Sequence, residues 1–284
     1  MIYLLVVTAI WSFSFSLIGK YLSGQVDPFF SAMCRSFLAF ILFVPSLIKN
    51  SIPLKDSLHL IKIGSIQLGL MYIFYYQSFL YLSVPEILIF TIFTPVYVTL
   101  LYDLYQKNFS SNFLISAFLA VVGAAIIRYE KISSSYFIGF FLIQCANLCF
   151  AYGQVSYKIF IEQKQYKLSQ KHLFAYFYLG SLLITSLAYV MLGKSSQLPT
   201  TNIQWLILLW LGFIASGLGF FGWNKGATQV NSGTLAVMNN VLIPSGIIIN
   251  IVFWGGESNI FKLSFGSFFM LFALFFNKYN KKAS

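Results

Sequence analysis

The sequence predicts an all-α integral membrane protein, ten transmembrane helices built as two inverted five-helix repeats. Three observations carry that expectation. Hydrophobic residues make up 58% of the 284 residues and charged residues 9%, against roughly 25% charged in soluble domains. So few charges cannot cover a soluble surface, which excludes disorder, a coiled coil and a soluble enzyme. Apolar stretches of about 20 residues, the length that crosses a bilayer as a helix, recur along the chain. The cations, finally, sort to alternate loops.

The stretches, numbered here as spans 1 to 10, are 2–20, 28–48, 62–82, 85–105, 112–128, 136–157, 173–192, 204–224, 233–254 and 260–277. A barrel strand would alternate polar and apolar positions, whereas residues 114–127 are apolar almost throughout. No basic residue precedes span 1 and no small-x-small cleavage site follows it, so it reads as a first span, not a signal peptide. Only Ser83 and Val84 separate spans 3 and 4, which predicts a tight hairpin. The longest polar segment, 158–171, is the candidate linker between halves.

Charge sets the orientation. With the N-terminus inside, the inner loops and ends carry Lys49, Lys55, Lys62, Lys107, Lys158, Lys164, Lys167, Lys171, Lys225, Lys278, Lys281 and Lys282. The outer ones carry Lys20, Arg128, Lys131, Lys194 and Lys262. Arg35 stands apart within span 2. An odd number of spans would scramble this split, so both ends are expected in the cytoplasm. The net charge of +11 is then a topology signal and a contact with anionic lipid heads. It is not a nucleic-acid footprint, since no soluble basic domain carries it.

An ungapped shift of 149 aligns residues 74–127 with 223–276. Ser83 meets Ser232, Pro95 meets Pro244 and Ala124 meets Ala273. In each half a proline lies near the middle of a span, followed by a short polar turn and a last apolar helix. Five helices in each unit, residues 1–131 and 132–284, reverse the polarity of the second. Inverted repeats of this kind place a site near the bilayer midplane between the halves.

The exceptions to apolarity are the candidate functional residues. Pro95 and Pro244 each free a helix carbonyl and bend the axis. Arg35 costs about 2.5–3.5 kcal/mol at a helix centre on insertion scales, so it should pair, snorkel or face a cavity; Glu86 is a possible partner. Glu86 also follows Pro85 at a helix start, where an acid complements the dipole. Asp103 reads as a solvated helix end. Gln77, Gln144, Asn147, Asn224, Asn239 and Asn240 are polar amides in apolar spans, along with Gln67, Gln154 and Asn250. Such groups bond across helices or bind solute. Trp11 and Ser14, Tyr72 and Tyr76, Thr91, Tyr152 and Trp223 fall in aromatic-polar clusters suited to an organic ligand, a cationic one included.

Cys34, Cys145 and Cys149 read as small hydrophobes; no cofactor or metal is expected. His59 and His172 read as solvated loop or headgroup residues. No nucleotide-binding, hydrolase or metalloprotease motif is present.

These residues resemble the drug/metabolite transporter superfamily, in particular its EamA-type group. Trp11, Ser12, Phe13 and Ser14 are similar to the first-helix motif, and Arg35 to the second-helix arginine. Residues 220–227, then 239–244, Gly256 with Glu257, and Gly266 resemble landmarks of the second repeat. Residues 75–82 with Thr94 and Pro95 echo them in the first. Lys107 and Asn108 depart from the family's Gly-Glu turn. The resemblance implies ten helices with cytoplasmic termini, a central cavity and alternating access in a bacterial inner membrane. It includes exporters of amino acids and other metabolites, and importers such as those for S-adenosylmethionine.

The expectation is therefore a secondary transporter for a small polar metabolite of the amino acid or amine class. S-adenosylmethionine uptake is the alternative within transport. A membrane enzyme on lipid-linked substrates and a non-transporting subunit are the alternatives outside it. The expected partners are a small-molecule substrate and the lipid bilayer, with protons as candidate coupling ion, in a monomer or homodimer.

Overall fold

The computed structural model describes residues 1–49, 52–105, 134–164, 169–230, 232–255 and 268. Every regular element among them is helical. Seven helical segments are long and apolar enough to cross a membrane, and Val241–Trp254 adds a shorter apolar helix. Span 5, and span 10 apart from Phe268, lie outside the described residues, with Lys107, Asn108, Gly256, Glu257 and Gly266.

Span 1 is α1 (Ile2–Leu17), closing in a π-helical turn, Ile18–Leu22. Gly24 then takes a φ of 71°, which a residue with a Cβ rarely adopts, and the chain reverses into α2 (Pro28–Lys49). Span 3 is α3 (Leu54–Gly64), a π-helical stretch (Ser65–Leu70) and α4 (Met71–Ser78). It starts eight residues before the expected boundary at 62, and Asp56 in its first turn is buried and paired with Lys164 at 3.0 Å.

Span 4 is broken. The helix α5 (Val84–Phe90) gives way to a 3-10 turn (Thr91–Phe93) before α6 (Thr94–Tyr105). Pro95 has no N–H for the carbonyl of Thr91, and that carbonyl accepts from the backbone N–H of Thr94 instead. The matched proline of span 9 differs: Pro244 lies inside an uninterrupted helix.

Span 6 is the long α7 (Ser134–Lys164), followed by α8 (Gln170–Leu192). The described part of the segment 158–171 is thus almost all helix, where its polarity suggested a linker. Lys158 explains why: it is buried, donating to the carbonyls of Ala227 (3.2 Å) and Val230 (2.8 Å) and pairing with Glu162 at 3.2 Å. Span 8 comprises α9 (Asn202–Trp210), a π-helical stretch (Leu211–Leu218) and α10 (Gly219–Ala227); span 9 is α11 (Ser232–Trp254).

The helices interlock across the expected halves. Span 2 packs along span 7 and span 8, span 1 along spans 9 and 8, span 3 along spans 6 and 7, and span 4 along spans 6 and 9. Small residues allow the closest crossing. A Cβ on Gly64 would strike the backbone carbonyl of Phe177, and one on Gly180 that of Ile61, so α3 and α8 touch backbone to backbone. Ser65 seals the crossing by donating to the Gly180 carbonyl at 3.0 Å.

Candidate functional site

A cavity of about 80 Å³ opens among spans 1, 2, 3, 4, 6, 8 and 9. Small-molecule sites run to roughly 300–1,000 Å³, so a solute must widen it. Its lining falls at the middle of the spans and toward the ends that carry Leu22, Pro28 and Ser78.

One wall is aromatic. Trp11 packs against Phe220 (ring centroids 4.7 Å), Trp223 (5.0 Å) and Phe150 (5.7 Å). Trp11, Phe150 and Phe220 line the cavity, while Trp223 stands fully buried behind them, donating Nε1 to Gln154 Oε1 at 3.2 Å. The Trp11 indole donates to the Ala215 carbonyl at 2.8 Å, and Tyr178 Oη to the carbonyls of Ser216 (2.8 Å) and Gly217 (2.7 Å). All three carbonyls lie in the π-helical stretch of span 8. Such stretches loosen a helix and recur at functional sites; in a membrane the displaced groups need partners, and these two side chains supply them.

A second wall holds Arg35, 2% exposed and lining the cavity. Its Nε donates to Ser216 Oγ at 2.8 Å and Nη1 to Tyr76 Oη at 3.2 Å. The guanidinium lies 4.4 Å from the Tyr72 ring centroid, a cation–π distance. Tyr72 Oη and Ser216 Oγ share a 2.6 Å hydrogen bond, which fixes both. Among the described residues no carboxylate pairs with Arg35.

The third wall is polar and stands at the break in span 4. Thr91 and Thr94 line the cavity there, with Asn147 opposite. Asn147 Nδ2 donates to the Phe90 carbonyl at 2.8 Å and to Gln144 Oε1 at 3.2 Å. Gln144 Nε2 reaches the same carbonyl at 3.4 Å, while Tyr97 donates to Gln144 Oε1 at 3.2 Å. Asn239, buried, donates to its own helix at Leu235 (2.9 Å) and lines the cavity beside Leu242. Ser14 completes the lining of α1 and donates to the Ile10 carbonyl at 3.3 Å.

Of the residues singled out in the sequence, Trp11, Ser14, Arg35, Tyr72, Thr91, Asn147 and Asn239 thus share one cavity. Tyr76 and Gln144 stand one contact behind it. Gln77 is half-buried near the end of α4. Asn224 is buried and accepts from Gln67 Nε2 at 3.3 Å, nearer the N-terminal end. Tyr152 faces a separate cleft at that end, beside Lys55 and Lys164. The Asn240 side chain lies outside the described residues.

Glu86 is placed away from Arg35. Its Oε2 accepts from the Ser83 N–H and Oγ, both at 2.8 Å, forming a capping box at the start of α5. Asp103, expected to be solvated, is 4% exposed because α6 packs on α7 there. Ser216, Tyr178 and Phe15 were not singled out. Ser216 sits in an Ala-Ser-Gly run that looks like plain packing, and only the fold brings it to Arg35. Among the described residues no group of His, Cys, Asp and Glu is arranged to hold a metal ion.

Comparison with known proteins adds the chemistry of relatives. Residues 1–129 match the model of the EamA-like transporter family. The biotin transporter of Salmonella typhimurium is 43% identical over 252 residues, 88% of this chain and 84% of its own. That of Escherichia coli is 42% identical over the same shares. The probable biotin transporter of Pseudomonas aeruginosa is 41% identical over 280 residues, 99% of this chain and 98% of its own. A crystal structure at 15% identity superposes with a TM-score of 0.66 over 94% of this chain and 92% of that one, a likeness of fold. The names of the relatives overturn the amino acid or amine expectation, and S-adenosylmethionine uptake with it. Aromatic rings and amides were read as suited to an organic ligand, a cationic one included, and such groups do not by themselves select one solute class. Transport by these relatives also sets aside the membrane-enzyme alternative.

Proposed function

The chain belongs to the EamA-like transporter family, a multi-pass membrane protein and not an enzyme, and from that premise we propose that it carries biotin across the membrane by alternating access. The observation that carries this reading is the central cavity, found in a chain 41–43% identical to biotin transporters over most of its length. Biotin offers an apolar fused ring, a ureido edge and a carboxylated side chain. The cavity offers rings at Trp11, Phe150 and Phe220, hydrogen-bonding groups at Thr91, Asn147 and Asn239, and a buried cation at Arg35.

Alternating access needs a closed side. Toward the N-terminal end, Gln67 bonds Asn224, Trp223 bonds Gln154, Lys158 holds the carbonyls after α10, and Lys164 pairs with Asp56 at 3.0 Å. These contacts tie α3 and α7 together and α7 to α10, and they support a state shut toward that end. Opening there requires each to part.

Two five-helix units, 1–131 and 132–284, remain our reading of the architecture. The packing supports it. Exchanging spans 1 to 4 with spans 6 to 9 turns the contact of 1 with 9 into that of 6 with 4, and the contact of 2 with 8 into that of 7 with 3. We assign the chain to a bacterial inner membrane, both termini cytoplasmic, with protons as the candidate coupling ion and a monomer or homodimer as the working unit.

Expression in a biotin auxotroph stripped of its own biotin uptake tests the proposal. Growth at limiting biotin is the expected result. No growth, with the protein demonstrably in the membrane, overturns it.

A further inference from the structure

Two buried cations in this structure are satisfied in different ways. Lys158 donates to two backbone carbonyls and pairs with Glu162. These contacts suffice for a structural role. Arg35 does neither. Its partners are a serine hydroxyl, a tyrosine hydroxyl and the face of Tyr72, all neutral. They aim the guanidinium without cancelling its charge.

A guanidinium has five N–H groups. Two are used, one on Nε and one on Nη1. The other three, shared between Nη1 and Nη2, meet no acceptor among the described residues beyond the Tyr72 and Tyr76 hydroxyls, and Arg35 lines the cavity. One N–H from each terminal nitrogen is the fork that a carboxylate fills with two parallel bonds. An acidic side chain already there would block the fork. A carboxylated solute arriving from water would bring the missing counter-charge and leave with it.

Resting on the reading of biotin as solute, we infer that Arg35 is the specificity residue for the valerate carboxylate. Tyr76 and Ser216 are its positioning residues, and the ring system lies toward Trp11 and Asn147. The site selects a carboxylic acid against its neutral analogues. It would recognise the same acid on a compound lacking the thioether, since the cavity gives sulfur no dedicated partner.

The test is uptake of labelled biotin by purified protein in liposomes, competed by unlabelled biotin, dethiobiotin, biotinol and biotinamide. Wild type should be blocked by the two acids, with the alcohol and the amide weaker by roughly 10- to 100-fold, the range for losing a charged hydrogen-bond pair. Arg35→Gln should raise the KM for biotin by a similar factor and compress the preference for acids toward unity. Arg35→Lys should retain part of it. A monodisperse size-exclusion peak and a cooperative thermal melt report whether Arg35→Gln is folded. Equal competition by biotinol and biotin at wild type overturns the inference without any mutant, and leaves biotin transport standing. An undiminished preference for acids in Arg35→Gln overturns it too. Absence of biotin uptake by wild type removes the reading of biotin as solute, and the inference with it.

Discussion

The indole nitrogen of Trp11 donates to the carbonyl of Ala215 at 2.8 Å, joining span 1 to the π-helical stretch of span 8. The same ring forms the aromatic wall of the cavity. One side chain therefore supports an irregular helix and shapes the site. Trp11→Phe keeps a ring but removes the donor. A hydrogen bond between helices in a membrane contributes about 0.6–2 kcal/mol, so the melting temperature in detergent should fall by a few degrees. Uptake should fall more steeply than stability, because the wall shifts with the helix. A variant with both unchanged would show that the bond is dispensable.

The crossing of α3 and α8 predicts a purely structural lesion. Gly64→Val places branched carbon atoms where the Phe177 carbonyl lies. The helices must separate, and with them the Ser65 bond to Gly180. Loss of the monodisperse peak in size-exclusion chromatography is expected. Gly24→Val serves as a comparison: it meets nothing within 4 Å, but it strains a positive φ, so its defect should be the smaller one.

Asn147 tests the polar wall. Asn147→Leu removes the donor to the Phe90 carbonyl beside the break in span 4. The Phe90 carbonyl keeps only the longer contact from Gln144 Nε2 at 3.4 Å, so the loss should be about 0.5–1.5 kcal/mol, that of one hydrogen bond. Its effect on KM should be equal for biotin and for biotinol, since it faces the part of the solute common to both. A loss confined to biotin would place the carboxylate at Asn147 and not at Arg35.

Glu86 is predicted to be a helix start and not a proton carrier. Glu86→Gln can keep the reciprocal bonds of the capping box with Ser83. Uptake and its pH profile should match wild type within about twofold, the scatter allowed by a cap change near 0.5 kcal/mol. Glu86→Leu should lower stability. A Glu86→Gln protein that binds biotin yet cannot accumulate it would argue for a role in coupling.

Much of the membrane architecture was legible because hydropathy is a property of segments. The seven helical segments long and apolar enough to cross a membrane, and the shorter apolar helix Val241–Trp254, all match stretches marked from apolar length alone, with errors at ends such as Leu54 and Lys164, where polar residues find tertiary partners. The lining was legible where a polar or aromatic residue interrupts an apolar run, as at Trp11, Arg35, Tyr72, Asn147 and Asn239. It was illegible at Ser216, because a serine among Gly and Ala carries no such contrast. The π-helical stretches and the pairing of Arg35 with hydroxyls in place of Glu86 depend on contacts between distant spans, which no local pattern records. The amino acid or amine expectation failed because rings and amides do not by themselves select one solute class.

The central claim is that this chain alone moves biotin through its own cavity. The direct measurement is labelled biotin uptake by the purified protein in liposomes, with and without a proton gradient, against protein-free liposomes. The account predicts saturable uptake that excess unlabelled biotin abolishes and Arg35→Gln weakens. Uptake no greater than that of protein-free liposomes under both conditions, from protein shown to be folded and inserted, would contradict it.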